Sequence, residues 1–194
     1  MKVLTVAALI FIYVAAVFAT CKKNCNNTTY NFKAGIIATP ITDSIFLNDT
    51  LWFTIDESTQ LKDTITNSFI DFKNAANLSF VFGIRLVISS QNFIPAAGAF
   101  NYIIKKGNLI SSVDTSLFRE FLVSEEGNRY KLQVGFLPKQ AGIFRVLVEN
   151  SSNVYLRDKS CYKANFAAKF TNADQHFYLG YNIGGDGVYY FKVK

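Results

Sequence analysis

Leu78-Ser79-Phe80-Val81-Phe82-Gly83-Ile84-Arg85-Leu86-Val87-Ile88 is the longest run in the chain that keeps an apolar residue at every second position. Successive side chains on a strand point to opposite faces, so this period predicts a strand with one buried face, central in its sheet. Shorter copies of the pattern lie on both sides. Upstream, Tyr30, Phe32, Ala34 and Ile36 alternate with Asn31, Lys33 and Gly35 until Pro40 breaks the run. Ser44 to Leu47 and Thr50 to Asp56 follow, separated by Asn48-Asp49; Leu51, Phe53 and Ile55 share a face and Trp52 takes the other. Downstream, Phe100, Tyr102 and Ile104 precede a turn at Lys105-Lys106-Gly107-Asn108. Tyr130 to Phe136 ends at Pro138, Gly142 opens a strand from Ile143 to Glu149, and Val188 to Val193 follows a Gly184-Gly185-Asp186-Gly187 turn.

Two stretches read both ways. Leu117, Phe118, Phe121 and Leu122 have helical spacing, so a short helix competes with a strand there. Tyr162 to Phe170 alternates cleanly and is read as strand, although its alanines and lysines also suit a helix. Eight or nine short strands separated by turn signals give an all-β class and an antiparallel sandwich in one domain over 30–194.

The first twenty residues carry an address. Lys2 precedes an apolar run from Val6 to Ala19, which has the make-up of a secretory signal over 1–20. Three fates compete. The signal is retained as an anchor near the lower length limit for a span, or cut after Ala19, or read as a lipobox that makes Cys21 the first mature residue and its lipid carrier. The third is favoured, with 21–29 as a tether. Parity adds to it: of three cysteines, Cys21, Cys25 and Cys161, acylation of the first leaves Cys25 and Cys161 to pair in an oxidising compartment.

Losing 1–20 removes Lys2 and no acid, so the net charge of +6 falls to +5. That charge is scattered, without the basic, aromatic-laced stripe of a nucleic-acid binder. Lys22, Lys23 and Lys33 near the tether either meet anionic headgroups or stay solvated. Catalytic groupings are sparse. His176 is the only histidine, so a metal site built from several histidines is not available. As a general base it has Asp174 as a nominal orienting partner, and a plain surface histidine fits better. Glu125-Glu126 reads as a turn with Gly127-Asn128, not as a glycosidase pair. No metal or cofactor is expected, and a calcium site at Asp174 or Asp186 has no supporting spacing. Trp52, out of phase with its inward neighbours, is the candidate binding residue. Tyr178, Tyr181, Tyr189 and Tyr190 share that candidacy more weakly.

The start Cys21-Lys22-Lys23, the phrase Ile45-Phe46-Leu47-Asn48-Asp49-Thr50-Leu51-Trp52, and Ile70-Asp71-Phe72-Lys73-Asn74-Ala75 resemble uncharacterised lipoproteins of Bacteroidetes. So do Gly135-Phe136-Leu137-Pro138, Cys161-Tyr162-Lys163-Ala164 and Phe170 to His176. The resemblance implies an immunoglobulin-like sandwich anchored to an envelope membrane, and no activity. In that phylum an acidic cluster after the lipidated cysteine sends proteins to the cell surface; Lys22-Lys23-Asn24 departs from it, which favours the periplasmic face of the outer membrane. The phylum also O-glycosylates Asp-Ser/Thr-hydrophobic triplets, which makes Ser44, Thr50 and Thr64 modification candidates; ordinary turn chemistry explains the same triplets. The functional expectation is a non-enzymatic binding module for a protein or glycan. An accessory subunit of an envelope assembly is the alternative, and a hydrolase the least favoured.

Overall fold

Alternation becomes two curled sheets facing one another across a phenylalanine-rich core. The computed structural model describes residues 28–110, 117–157, 159–172 and 188–194. In chain order the strands are β1 (Thr28–Thr39), β2 (Ser44–Ile45), β3 (Leu51–Ser58), β4 (Gln60–Lys62), β5 (Phe69–Asp71) and β6 (Ala75–Ala76). Next come β7 (Ser79–Val87), β8 (Phe93–Pro95), β9 (Phe100–Lys106), β10 (Asn108–Leu109), β11 (Phe118–Leu122) and β12 (Ser124–Glu126). Then follow β13 (Arg129–Pro138), β14 (Gly142–Glu149), β15 (Ser151–Leu156), β16 (Lys159–Phe170) and β17 (Val188–Val193). An eight-stranded sheet runs β12-β13-β3-β1-β16-β15-β6, with β9 also paired to β13. A seven-stranded sheet runs β10-β11-β7-β14-β17-β2, with β8 also paired to β7, and β4-β5 is a separate hairpin.

The alternating residues do what their period requires. Phe80, Phe82 and Ile84 of β7 are buried, as are Phe53 of β3, Phe136 of β13 and Phe144 of β14. Phe53 meets Phe82 across the two sheets at 5.7 Å between ring centroids, and Tyr189 of β17 at 5.8 Å. Each fully buried side chain of this size contributes about 1.5–3 kcal/mol by leaving water. β7 is central as expected, flanked by β11 and β14. Its apolar face ends early, however: Ile88 is exposed because its N–H bonds Asn92 and the chain reverses into β8.

Other expectations need correction. The strand from Ser44 to Leu47 stops at Ile45, since the Asp49 carboxylate accepts the Phe46 N–H and turns the chain, leaving Phe46 and Leu47 exposed. The helical spacing of Leu117 to Leu122 yields to pairing with β7, which buries Phe121 in strand β11. Tyr162 to Phe170 is strand as expected, within β16. Glu125 and Glu126 lie in β12, and the turn itself is Gly127-Asn128, both at positive φ. Tyr189 is core rather than surface; burial, with Asp43 nearby, pushes its phenol up to about 12. The Gly184–Gly187 turn lies outside the described residues.

One buried acid ties the β4-β5 hairpin to the sandwich. Asp63 accepts the Asn31 N–H of β1 at 2.7 Å, the Thr66 N–H at 2.8 Å and the Thr66 hydroxyl at 2.7 Å. These bonds hold its carboxyl below the ordinary value. A depressed folded pKa gives stability that is complete above the unfolded value, about 3.9, and is lost as pH falls through the folded one. Asp63→Asn is therefore expected to flatten the acid limb of a stability-versus-pH curve below about pH 4. Urea midpoints measured across that range check it; a limb as steep as the parent's assigns the acid loss elsewhere.

Candidate binding surface

Because Leu51, Phe53 and Ile55 point inward, Trp52 projects from the outer face of the eight-stranded sheet. Pairing sets Trp52 between Thr39 of β1 and Gly135 of β13, and Ile103 of β9 lies next beyond Gly135. The indole lies across that glycine: a Cβ at position 135 would sit 3.0 Å from Trp52 Cζ3, 3.1 Å from Cε3 and 2.5 Å from Thr50 Cγ2. Lys105 Nζ stands over the ring, 4.1 Å from its centroid, a cation–π contact that keeps the aromatic face occupied by a mobile charge. Ile37 and Ile103, 49% and 41% exposed, flank this site along the sheet. The sequence expected Trp52 to face outward, and it does so half-buried. Glu57 to Lys62 continues β3 into β4, and Trp52 lies within β3 rather than at a sheet end beneath a loop.

Trp52 is the only tryptophan, so its emission reports this packing directly. Gly135→Ala forces the indole or Thr50 to move. It is expected to red-shift the fluorescence and to cost about 1–3 kcal/mol, the usual range for overpacking. An unshifted spectrum at parent stability would mean the ring does not rest on Gly135.

The remaining candidates are dispersed. Ser44 is half-buried in β2 and Thr50 half-buried beside Gly135, while Thr64 is exposed on the hairpin loop. Cys161, in β16, is disulfide-bonded. Cys21 and Cys25 lie outside the described residues, as do His176, Asp174, Asp186, Tyr178 and Tyr181. Tyr190 projects outward from β17 under the Arg145 guanidinium. A cleft of 460 Å³ opens beside the β4-β5 hairpin, lined by Lys33, Gln60, Lys62, Asn67 and Phe69 among others. Among the described residues its single carboxylate is Glu57, which accepts the Gly35 N–H at 2.9 Å, so they supply the cleft with no pair of acids for glycoside hydrolysis. Among the described residues no group of three or more potential metal ligands occurs, and no helix is long and apolar enough to cross a membrane.

Sequence reading missed one cluster, Arg85 with Arg145 on the outer face of the seven-stranded sheet. The only local signal was Gly83, which interrupts the otherwise bulky run of β7. Comparison of the chain with family models, with curated proteins and with solved structures finds no match.

Proposed function

We propose that this chain is a non-enzymatic binding module of the immunoglobulin-like sandwich type, held at a bacterial envelope by a lipid on Cys21, that docks a partner protein through Trp52. The observation that carries the reading is the outward row Thr39–Trp52–Gly135–Ile103, with Ile37 one diagonal step from Trp52. Apolar and aromatic groups exposed on one sheet face, with a lysine over the indole that a partner can displace, have the make-up of an interface core. The immunoglobulin-like topology is favoured by the way the N-terminal segment is shared: β1 belongs to the eight-stranded sheet, and β2 then joins the other sheet in parallel with β17.

The cysteines support the anchor. In the parallel pairing of β1 with β16, Thr28 stands opposite Tyr162, the residue after Cys161. Cys25 precedes Thr28 by three residues and Cys21 by seven. The nearer cysteine is the better partner for Cys161, and Cys21 is left for acylation. Lys22-Lys23 beside it favours the periplasmic face of the outer membrane.

Two measurements test the reading. The intact mass of membrane-extracted protein from its host should equal a chain starting at Cys21 plus acyl groups; a bare chain overturns the anchor. A photo-crosslinker at Ile103 should trap one envelope protein in vivo. With that protein purified, Trp52→Ala should weaken binding at least ~30-fold, the effect of a hot-spot residue worth about 2 kcal/mol or more. Unchanged affinity overturns the docking face.

A further inference from the structure

Two features on the outer face of the seven-stranded sheet have no explanation within the sheet, and they are adjacent. The first is a pair of like charges. Arg85 of β7 and Arg145 of β14 stand directly opposite one another. Both project outward, since Ile84, Phe144 and Val146 beside them are buried. Like charges placed across an antiparallel pair destabilise it. Neither guanidinium forms an ion pair or a hydrogen bond among the described residues. Arg145 is held between two rings, its Cζ 5.1 Å from the centroid of Phe93 and 5.9 Å from that of Tyr190. Its Nε is buried with no hydrogen-bond partner among the described residues. The rings fix the guanidinium and leave its outer N–H fork unused. The outward acids of these strands, Glu120 and Glu149, share the row of Val81. That row is four residues along β7, about 13 Å from Arg85 at strand rise, where salt screens the charges.

The second feature is Gly83, two residues from Arg85 in the interior of the same strand. Pairing runs through it without a shift, Phe118 on one side and Leu147 on the other. Its φ is not positive, and an added Cβ would meet nothing nearer than the Leu147 carbonyl oxygen at 3.7 Å, an ordinary contact. Neither strain nor crowding calls for glycine here. Glycine weakens a strand interior, and with no bulge in the pairing its recognised use is to let a ligand or another backbone approach closely. The row Phe118–Gly83–Leu147–Val188 is thus a shallow trough with half-buried apolar walls, running beside the arginine row.

We infer that this face binds an acidic polysaccharide, with a uronate ring lying on Gly83 between Phe118 and Leu147 and its carboxylate bridging Arg85 and Arg145. The guanidinium fork matches a planar carboxylate in two parallel hydrogen bonds. The apolar trough takes the C–H face of a pyranose, and an open sheet face suits a polymer passing over it. The bound carboxylate neutralises the repulsion that the free protein carries. An acidic peptide supplies the charge, but its carboxylates hang on flexible stems and require no bare floor. The inference does not rest on the Trp52 reading, which concerns the opposite sheet.

The test is calorimetric titration of the full-length mature protein with polygalacturonate, neutral dextran and poly-L-glutamate, alongside thermal melts without ligand. Polygalacturonate is expected to bind, dextran not to bind, and polyglutamate to bind at least tenfold more weakly. Arg85→Gln and Gly83→Val are each expected to weaken polygalacturonate binding ~10-fold or more, the effect of losing a charge-assisted hydrogen bond or the close approach. Both should melt higher than the parent when ligand is absent, since each removes a local cost. Absent polygalacturonate binding, equal binding of dextran, or unchanged affinity in both variants overturns the proposal. Equal or tighter polyglutamate binding overturns it in favour of an acidic peptide. Melting temperatures at or below the parent's in both variants remove its premise.

Discussion

Cys161→Ser is expected to cost the fold about 5 kcal/mol, the chain-entropy value for a bridge that closes a loop of well over a hundred residues. Cys161 is disulfide-bonded at the start of the parallel ladder that runs from Thr28↔Tyr162 to Ile36↔Phe170. Parallel strands cannot be joined by a tight turn and are brought together only by long connections. Without the covalent tie, the N-terminal strand must be found by a chain with all its loop entropy still to lose. Urea denaturation with and without reductant checks the effect. The parent in reductant should converge on the midpoint of Cys161→Ser, and Cys25→Ser should reproduce it while Cys21→Ser should not. If Cys21→Ser carries the loss instead, the pairing is with Cys21 and the lipid anchor goes with it. A midpoint indifferent to reductant would show that the bridge contributes nothing.

Phe53→Ala is expected to cost about 3–5 kcal/mol, the range for emptying a packed core of a phenyl ring. Phe53 is fully buried at the crossing of both sheets. Its ring lies 4.8 Å from Phe136, 5.6 Å from Phe170, 5.7 Å from Phe82 and 5.8 Å from Tyr189, centroid to centroid. Three of these pairs are edge-to-face and add to the burial term, and four neighbours on four strands cannot all collapse into one void. Phe69→Ala is the control: that ring is 73% exposed, and its loss should fall within ~0.5 kcal/mol of parent stability. Urea midpoints at constant slope measure both. A Phe53 variant as stable as the Phe69 variant would mean that the core refills the space.

Where burial was one-sided and long, sequence reading came close to the structure. Val188 to Val193 and the strand opening at Gly142 keep their expected extents, since each buries every second residue against the opposite sheet. It stayed open where a short apolar cluster leaves the period undetermined. Leu117 to Leu122 offers four apolar residues that satisfy either repeat, and only the vacant edge of β7 decided for strand. It failed where a side chain overrides a propensity, as the Asp49 carboxylate does in turning the chain after Ile45. The candidate surfaces were half legible. Trp52 faces out because its neighbours face in, but the glycine beneath it and the lysine above come from β13 and β9.

The sequence by itself determined which residues of each strand turn toward the core and that the class is all-β, because the two-residue period is a local property of the pleated backbone. Only the tertiary structure decided the neighbours. That β1 lies parallel to β16, that Arg85 faces Arg145, and that the indole of Trp52 rests on Gly135 are matters of pairing and register. Register is chosen between segments more than a hundred residues apart, as Thr28 and Tyr162 are, by burying all inward faces at once. No local pattern records that choice, which is why the sequence marks Trp52 as outward but not the groups around it, and why the Arg85–Arg145 pair becomes visible only in the assembled sheets.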